Sequence, residues 1–263
     1  MAYEELIVDR DGRVATVRLN NPSKMNALSL TLTAELIHAL EAIRDDASVR
    51  AVVITGEGRG FCSGADLSAG REGYERGQPP DVSMFLDGYN RLIPLIAQMP
   101  KPVIAAINGV AAGAGLSLAL ACDLRVAAAS SSFSMAFVRI GLVPDSGAAY
   151  FLPRTIGMAR ALELSISGER IDASRAIEIG LVNRVVADDT CLKEAALLAA
   201  ELGELPTAAI GLTKRLFQEA AGRSLEDTLA TEAKVQAEAA RTADHLEGVR
   251  AFLEKRPPEF IGR

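Results

Sequence analysis

Val103-Ile-Ala-Ala-Ile-Asn-Gly-Val-Ala-Ala-Gly-Ala-Gly-Leu-Ser-Leu-Ala-Leu-Ala-Cys122 decides the fold. It carries no charge and is long enough to be mistaken for a membrane span. Asn108 and Gly109 interrupt it, and no second such stretch accompanies it. We therefore read a buried strand at Val103–Ile107, a glycine-rich turn, and an apolar helix ending near Asp123. Pro100 and Pro102 punctuate the entry to that strand.

The same alternation extends in both directions. Leu6 to Val8 and Val14 to Leu19 flank Asp11-Gly12, a dipeptide that favours a tight hairpin. Ser29 is placed to cap a helix carrying Leu32, Leu36, Leu40 and Ile43, and Ala51 to Thr55 follows as a buried strand. Downstream, the spacing predicts a helix with Phe85, Tyr89, Leu92 and Ile96 and a strand at Leu124–Ala128. Helices at 158–166, 172–179 and 190–203 surround a short strand at Val182–Val186. Strands alternating with helices imply an α/β fold with parallel layers. Ser68 to Val82 is rich in Gly, Pro and charge without a period, and reads as a mobile loop, a candidate lid. From Pro206 the pattern is helical throughout, with Ser224 and Asp227 as a capping pair. This weakly apolar tail needs a partner surface, so a subunit contact is expected. The division expected is 1–203 for a catalytic core and 204–263 for a helical oligomerisation region. No internal sequence repeat is apparent.

Composition narrows the function. The chain has 263 residues, 28 basic against 34 acidic, a formal charge of −6, and 49% hydrophobic residues. An acidic chain with no long basic run offers little to a phosphodiester backbone, so nucleic acid is not an expected partner. Cys62, Cys122 and Cys191 lie far apart, which suits neither a disulfide framework nor a zinc site. With a polar N-terminus, a reduced cytoplasmic protein without a membrane partner is expected. His38 and His245 have no paired ligand at helical spacing, so no metal is expected.

Between Arg91 and Leu162 the only carboxylates are Asp123 and Asp145. Asp123, where the apolar helix meets a strand, reads as a turn or hydrogen-bonding residue. Asp145 sits in Ile140-Gly-Leu-Val-Pro-Asp-Ser-Gly147, where desolvation would lift its pKa toward the range useful for proton transfer. The alternative is an N-cap for a helix over Gly147–Leu152. Two glycine-rich turns, at Gly56–Leu67 and Asn108–Gly115, each follow a strand and leave main-chain N–H groups open to a ligand. Such a pair can form an oxyanion hole, or can serve tight helix–strand packing. Gly115-Leu-Ser-Leu-Ala119 approaches a hydrolase nucleophile elbow with Asp residues and His245 in triad order, but lacks the final glycine.

Leu19-Asn-Asn-Pro, Asn26-Ala-Leu28, Gly60-Phe-Cys-Ser-Gly-Ala-Asp-Leu67, Lys101-Pro-Val-Ile-Ala-Ala-Ile-Asn-Gly109, Ala121-Cys-Asp123, Gly180-Leu-Val-Asn-Arg-Val185 and Phe252-Leu-Glu-Lys-Arg-Pro257 together resemble the crotonase, or enoyl-CoA hydratase/isomerase, superfamily. The resemblance covers nearly the whole chain. It implies a crotonase-type spiral of ββα repeats with a C-terminal helical trimerisation region, assembled as a homotrimer or a hexamer built as a dimer of trimers. It also implies an acyl-CoA thioester substrate and no cofactor. By resemblance, Ala65 and Ala114 supply the oxyanion hole, while Lys24, Met25, Ala27, Ser63, Gly64, Asp66 and Leu67 line the coenzyme A moiety, with a phosphate contact from Lys255 or Arg256. Two positions depart from the family pattern. Where hydratases of the superfamily carry two glutamates, this chain has Ser117 and Phe137, and neither is a carboxylate base. Asp145 matches the position of the single acid of the family's isomerases, and Val138–Arg154 resembles its ring-epoxide isomerase branch. The expectation is an isomerase that moves a double bond or opens an epoxide ring. A hydratase and a non-catalytic acyl-CoA-binding scaffold are the alternatives. Phe85, Tyr89, Phe137 and Tyr150 are candidates for an aromatic pocket, with apolar core as the plainer reading of each.

Overall fold

The computed structural model describes residues 3–78 and 80–263, less the side chains of Ala69 and Met84. Strands β1 (Leu6–Asp11) and β2 (Val14–Leu19) form the expected antiparallel hairpin, with Gly12 of the turn at φ +53°. Helix α1 (Leu30–Asp45) begins at Ser29, whose Oγ accepts the Leu32 N–H at 2.9 Å. Strand β3 (Ala51–Gly56) follows, then β4 (Gly60–Cys62), α2 (Arg71–Glu75) and α3 (Ser83–Ala97). The decisive stretch resolves into β5 (Val103–Ile107), β6 (Val110–Ala112) and α4 (Ala114–Ala121). Next come β7 (Leu124–Ala128), β8 (Ser132–Ser134), α5 (Ala148–Ile156), α6 (Met158–Ser167), β9 (Arg170–Asp172), α7 (Ala173–Glu178) and β10 (Arg184–Val186). The chain closes with α8 (Cys191–Gly203), α9 (Thr207–Ala220), α10 (Leu225–Ala239) and α11 (Ala243–Glu254).

A six-stranded sheet runs β1-β2-β3-β5-β7-β10, and a four-stranded one runs β4-β6-β8-β9. Each of the pairs β3/β4, β5/β6 and β7/β8 sends its first strand to the large sheet and its second to the small one before the chain turns into helix. That is a spiral of ββα units without any repeated sequence. Beyond the hairpin, the large sheet is parallel and covered on both faces. Val52 and Ile54 face a core shared with α1 and α3, whereas Ala51 and Val53 pack against Cys191, Ala195 and Leu198 of α8. Burial on both faces explains the near-continuous apolar runs of β3 and β5.

The structure corrects one reading. Residues 68–82 are not irregular throughout: a 3-10 turn at Leu67–Gly70 leads into α2, supported by i,i+4 pairs Arg71–Glu75 and Glu72–Arg76. A five-residue helix with a glycine in it is too short to show an apolar period. Among the described residues no single helix is long and apolar enough to cross a membrane. The C-terminal helices are tied back to the core by polar links. Arg50, buried at the start of β3, donates to Leu205 O, Thr207 Oγ1 and Phe260 O, and Gln218 Nε2 donates to Ala97 O.

Candidate active site

Both glycine-rich turns end on an unused donor. Leu28 and Ala65 form an isolated parallel bridge in which Leu28 N–H donates to Gly64 O at 2.7 Å and Asp66 N–H donates to Leu28 O at 3.1 Å. This pairing turns the Ala65 N–H away from Leu28. Ala114 is the first residue of α4, so its N–H has no acceptor within the helix. Among the described residues, neither N–H is taken up by another group. The two turns touch: a Cβ on Gly64, which has φ +108°, would lie 3.0 Å from Ala112 O and 3.6 Å from Ala114 N. Gly115 permits the approach from the other side, because a Cβ there would stand 2.2 Å from Cys62 O. Both functions foreseen for these glycines, open donors and close packing, are therefore present together.

Asp145 is joined to the helix that begins at Ala114. Its carbonyl accepts the Ala148 N–H at 2.9 Å and lies 3.1 Å from Ser117 Oγ, in the first turn of α4. Its carboxylate receives the Ser146 hydroxyl at 2.8 Å. The N-cap alternative fails: Gly147 occupies the cap of α5, and no side chain closes it. Burial pushes the Asp145 carboxyl above the usual carboxylate range, opposed in part by the Ser146 hydrogen bond. Phe137 is buried near Gly113, and Tyr89, 2% exposed, donates its hydroxyl to Leu28 O at 3.2 Å. Burial raises the Tyr89 phenol, and the negative charge of Asp145 adds to the effect, so at neutral pH it remains a donor. Phe85 is also buried, so three of the four singled-out aromatics belong to core or site wall. Tyr150 departs from the group: it is 40% exposed and stacks under the Arg154 guanidinium at 3.7 Å.

The residues expected along coenzyme A lie on two segments, 24–27 and 63–67, that are hydrogen-bonded to each other. Lys24 Nζ donates to Asp66 Oδ2 at 2.7 Å and to Ser68 Oγ at 2.9 Å. Ser63 N–H donates to Met25 O, its hydroxyl donates to Lys24 O, and Met25 lies in the left-handed region at φ +52°. Gly64, Ala27 and Leu67 lie on the same two segments. Burial pushes the Asp66 carboxyl up, but hydrogen bonds from Lys24 and Ser68 outweigh it and hold the group below its usual range. At the other end of the chain Arg256 is engaged with Glu247 and Glu254, so its charge is already paired.

Asp123 is a structural hydrogen-bonding residue, accepting the Val103 N–H at 2.7 Å and Lys214 Nζ at 2.7 Å. Ser117 meets two carbonyl oxygens, while His245 is exposed on α11, an arrangement without a nucleophile–base contact. Among the described residues no cluster of three or more metal-ligating side chains is present. A cavity of about 820 Å³ bordered by Gln98, Tyr150, Lys214, Arg215 and Glu238 contains none of Ala65, Ala114 or Asp145. Sequence reasoning missed the hydrogen bonds made by Tyr89 and Ser117; only their polarity inside apolar helical patterns marked them.

A spiral of ββα units that presents two main-chain donors beside a desolvated carboxylate defines a crotonase-type protein. The chain belongs to the enoyl-CoA hydratase/isomerase family, whose model matches residues 9–263. It is 42% identical over 251 residues to the 1,2-epoxyphenylacetyl-CoA isomerase of Escherichia coli K12, covering 95% of each chain. It is also 42% identical over 264 residues to a probable enoyl-CoA hydratase of Rhodobacter capsulatus, covering 100% of both. The crystal structure of an enoyl-CoA hydratase from Bacillus anthracis superposes with a TM-score of 0.91 at 36% identity, covering 99% of this chain and 100% of that one.

Proposed function

We propose that the chain is an acyl-CoA isomerase in which Asp145 is the single acid–base. The observation that carries this reading is the placement of Asp145: its side chain is half-buried and its main-chain carbonyl is joined to Ser117 in the first turn of α4, while the sites of the hydratase glutamates hold Ser117 and Phe137. The Ala65 and Ala114 N–H groups receive the thioester oxygen, and the negative charge that develops there on enolisation is stabilised by donors already in place. One donor of this kind is worth on the order of 3 kcal/mol of barrier. Asp145 takes a proton from the carbon chain and returns it further along, and its raised pKa suits both halves of the transfer. Lys24, Met25, Ala27, Ser63, Gly64, Asp66 and Leu67 hold the coenzyme A arm. No cofactor takes part in this scheme.

The substrate is an unsaturated or ring-epoxide acyl-CoA thioester, a reading supported by the name of the Escherichia coli relative. The molecule assembles as a homotrimer or a dimer of trimers in the cytoplasm. The exposed Leu225, Leu229, Phe252 and Leu253 of the C-terminal helices supply apolar surface for such a contact. Light scattering on the purified protein tests this, and a monomer would contradict it.

A spectrophotometric assay with 3-enoyl-CoA and 2-enoyl-CoA side by side tests the reaction. Conversion of the 3-enoyl to the 2-enoyl thioester, lost in Asp145→Asn, is the expected result. Hydration of the 2-enoyl thioester without isomerisation would establish a hydratase instead. Binding without turnover of either thioester or of a ring epoxide would establish a scaffold.

A further inference from the structure

We infer that Ser117 is a positioning residue that latches the Asp145 segment to the peptide carrying the Ala114 donor. This rests on the reading of Asp145 as the acid–base. Ser117 is fully buried, and its Oγ lies 3.2 Å from Gly113 O and 3.1 Å from Asp145 O. Gly113 C=O and Ala114 N–H belong to the same peptide group. One hydroxyl thus touches the peptide that presents an oxyanion donor and the main chain of the residue that moves the proton. The single hydroxyl proton is shared between the two carbonyls as a three-centre hydrogen bond, and its share to Gly113 O polarises the amide at the other end of that peptide.

The segment needs an outside tether. Ser146 and Gly147 lie in succession in the left-handed region, at φ +51° and +78°, where a non-glycine residue is held only by its surroundings. The other hydrogen bonds of Asp145 are local, to Ser146 and Ala148. Among the described residues, Ser117 makes the hydrogen bond that joins Asp145 to α4. The position where hydratases of the family carry a carboxylate has become a strut in this chain. Because reacting groups must be held within a fraction of an ångström of productive geometry, a loosened strut lowers turnover before it lowers affinity.

The test compares Ser117→Ala and Ser117→Thr with the wild type, using 3-enoyl-CoA turnover and hydrogen–deuterium exchange. A hydroxyl worth a typical net hydrogen bond gives a loss of about five- to tenfold in kcat for Ser117→Ala, with KM within about twofold. Ser117→Thr, which keeps the hydroxyl, recovers most of that loss. Exchange over Leu142–Ala148 accelerates in the alanine variant and returns toward wild type in the threonine variant, a readout independent of the substrate chosen. Wild-type exchange in Ser117→Ala would overturn the inference, as would wild-type kcat in an enzyme that Asp145→Asn silences. Equal losses in both variants with a lowered Tm would also overturn it, reducing Ser117 to a packing residue. Full activity of Asp145→Asn is a separate outcome, which removes the reading of the base itself.

Discussion

Lys214 of α9 reaches across to Asp123 at the start of β7, with Nζ 2.7 Å from Oδ2, and also donates to Lys101 O at 3.0 Å. Only 11% of the lysine side chain is exposed. Burial raises the Asp123 carboxyl, and the Lys214 ammonium and the Val103 N–H oppose that rise. Removing one partner of a buried pair strands the other without compensation, at a typical cost of about 3 kcal/mol.

Lys214→Met is accordingly expected to lower unfolding free energy by about 3 kcal/mol in urea denaturation. Lys214→Met with Asp123→Asn should recover part of the loss, because the stranded charge is gone while the Val103 N–H keeps an acceptor. A single variant as stable as wild type would show that the link contributes nothing to docking α9.

Asp145→Asn should separate activity from stability. Burial holds the Asp145 proton more tightly in the folded chain than in the unfolded one, whose value is 3.8. Between that value and the raised folded one, the native state binds more protons, so this group's contribution to stability falls as pH rises through the window. At neutral pH the ionised carboxylate costs stability, and the asparagine variant should melt at a higher temperature than wild type while losing turnover. The proposed role of Asp145 as base requires its ionised form, so on that proposal wild-type activity should fall on acidification with a midpoint above the ordinary carboxylate range. A midpoint at or below 3.8, or a lower Tm for the variant, would contradict the desolvated site.

The three cysteines are buried, and burial pushes the thiols of Cys62 and Cys122 up to about 12 and that of Cys191 up to about 11. Because the thiolate is the reactive form, none should react with a disulfide reagent such as Ellman's at pH 8 in the folded protein. All three should react once denaturant is added. Rapid labelling of one thiol in the native state would mean that its strand or helix opens locally.

The large sheet was legible because β3 and β5 are apolar runs, β7 is apolar but for Arg125, and helices lie between them, while Ser29 and Ser224 cap the helices they were expected to cap. The small sheet was not legible from periodicity. Strands β4, β6, β8 and β9 are three residues each, too short for alternation to register, and only the family resemblance implied a second strand in each unit. At the site, Asp145 was marked by the scarcity of other carboxylates; the glycine-rich turns marked where main-chain donors could open, and only the family resemblance singled out Ala65 and Ala114. The hydrogen bonds of Ser117 and Tyr89 were not legible, because these reach main-chain carbonyls of segments distant in sequence, 28 and 61 residues away. Main-chain acceptors leave no signature in side-chain identity.

Tyr89→Phe tests how the Ala65 donor is held. The phenol donates to Leu28 O, the oxygen that also accepts the Asp66 N–H one residue past Ala65. Burial keeps the hydroxyl protonated, so its donor role persists across the working pH range. Phenylalanine preserves the ring within the core and deletes one hydrogen bond, leaving Leu28 O still satisfied by Asp66, so stability should fall by only about 1 kcal/mol. If the tyrosine also fixes the Ala65 peptide, kcat drops severalfold while the KM for acyl-CoA changes little, because a displaced oxyanion donor weakens the transition state more than the ground state. An unchanged kcat with the same small loss of stability would confine Tyr89 to packing and leave the donor held by the Leu28–Ala65 bridge alone.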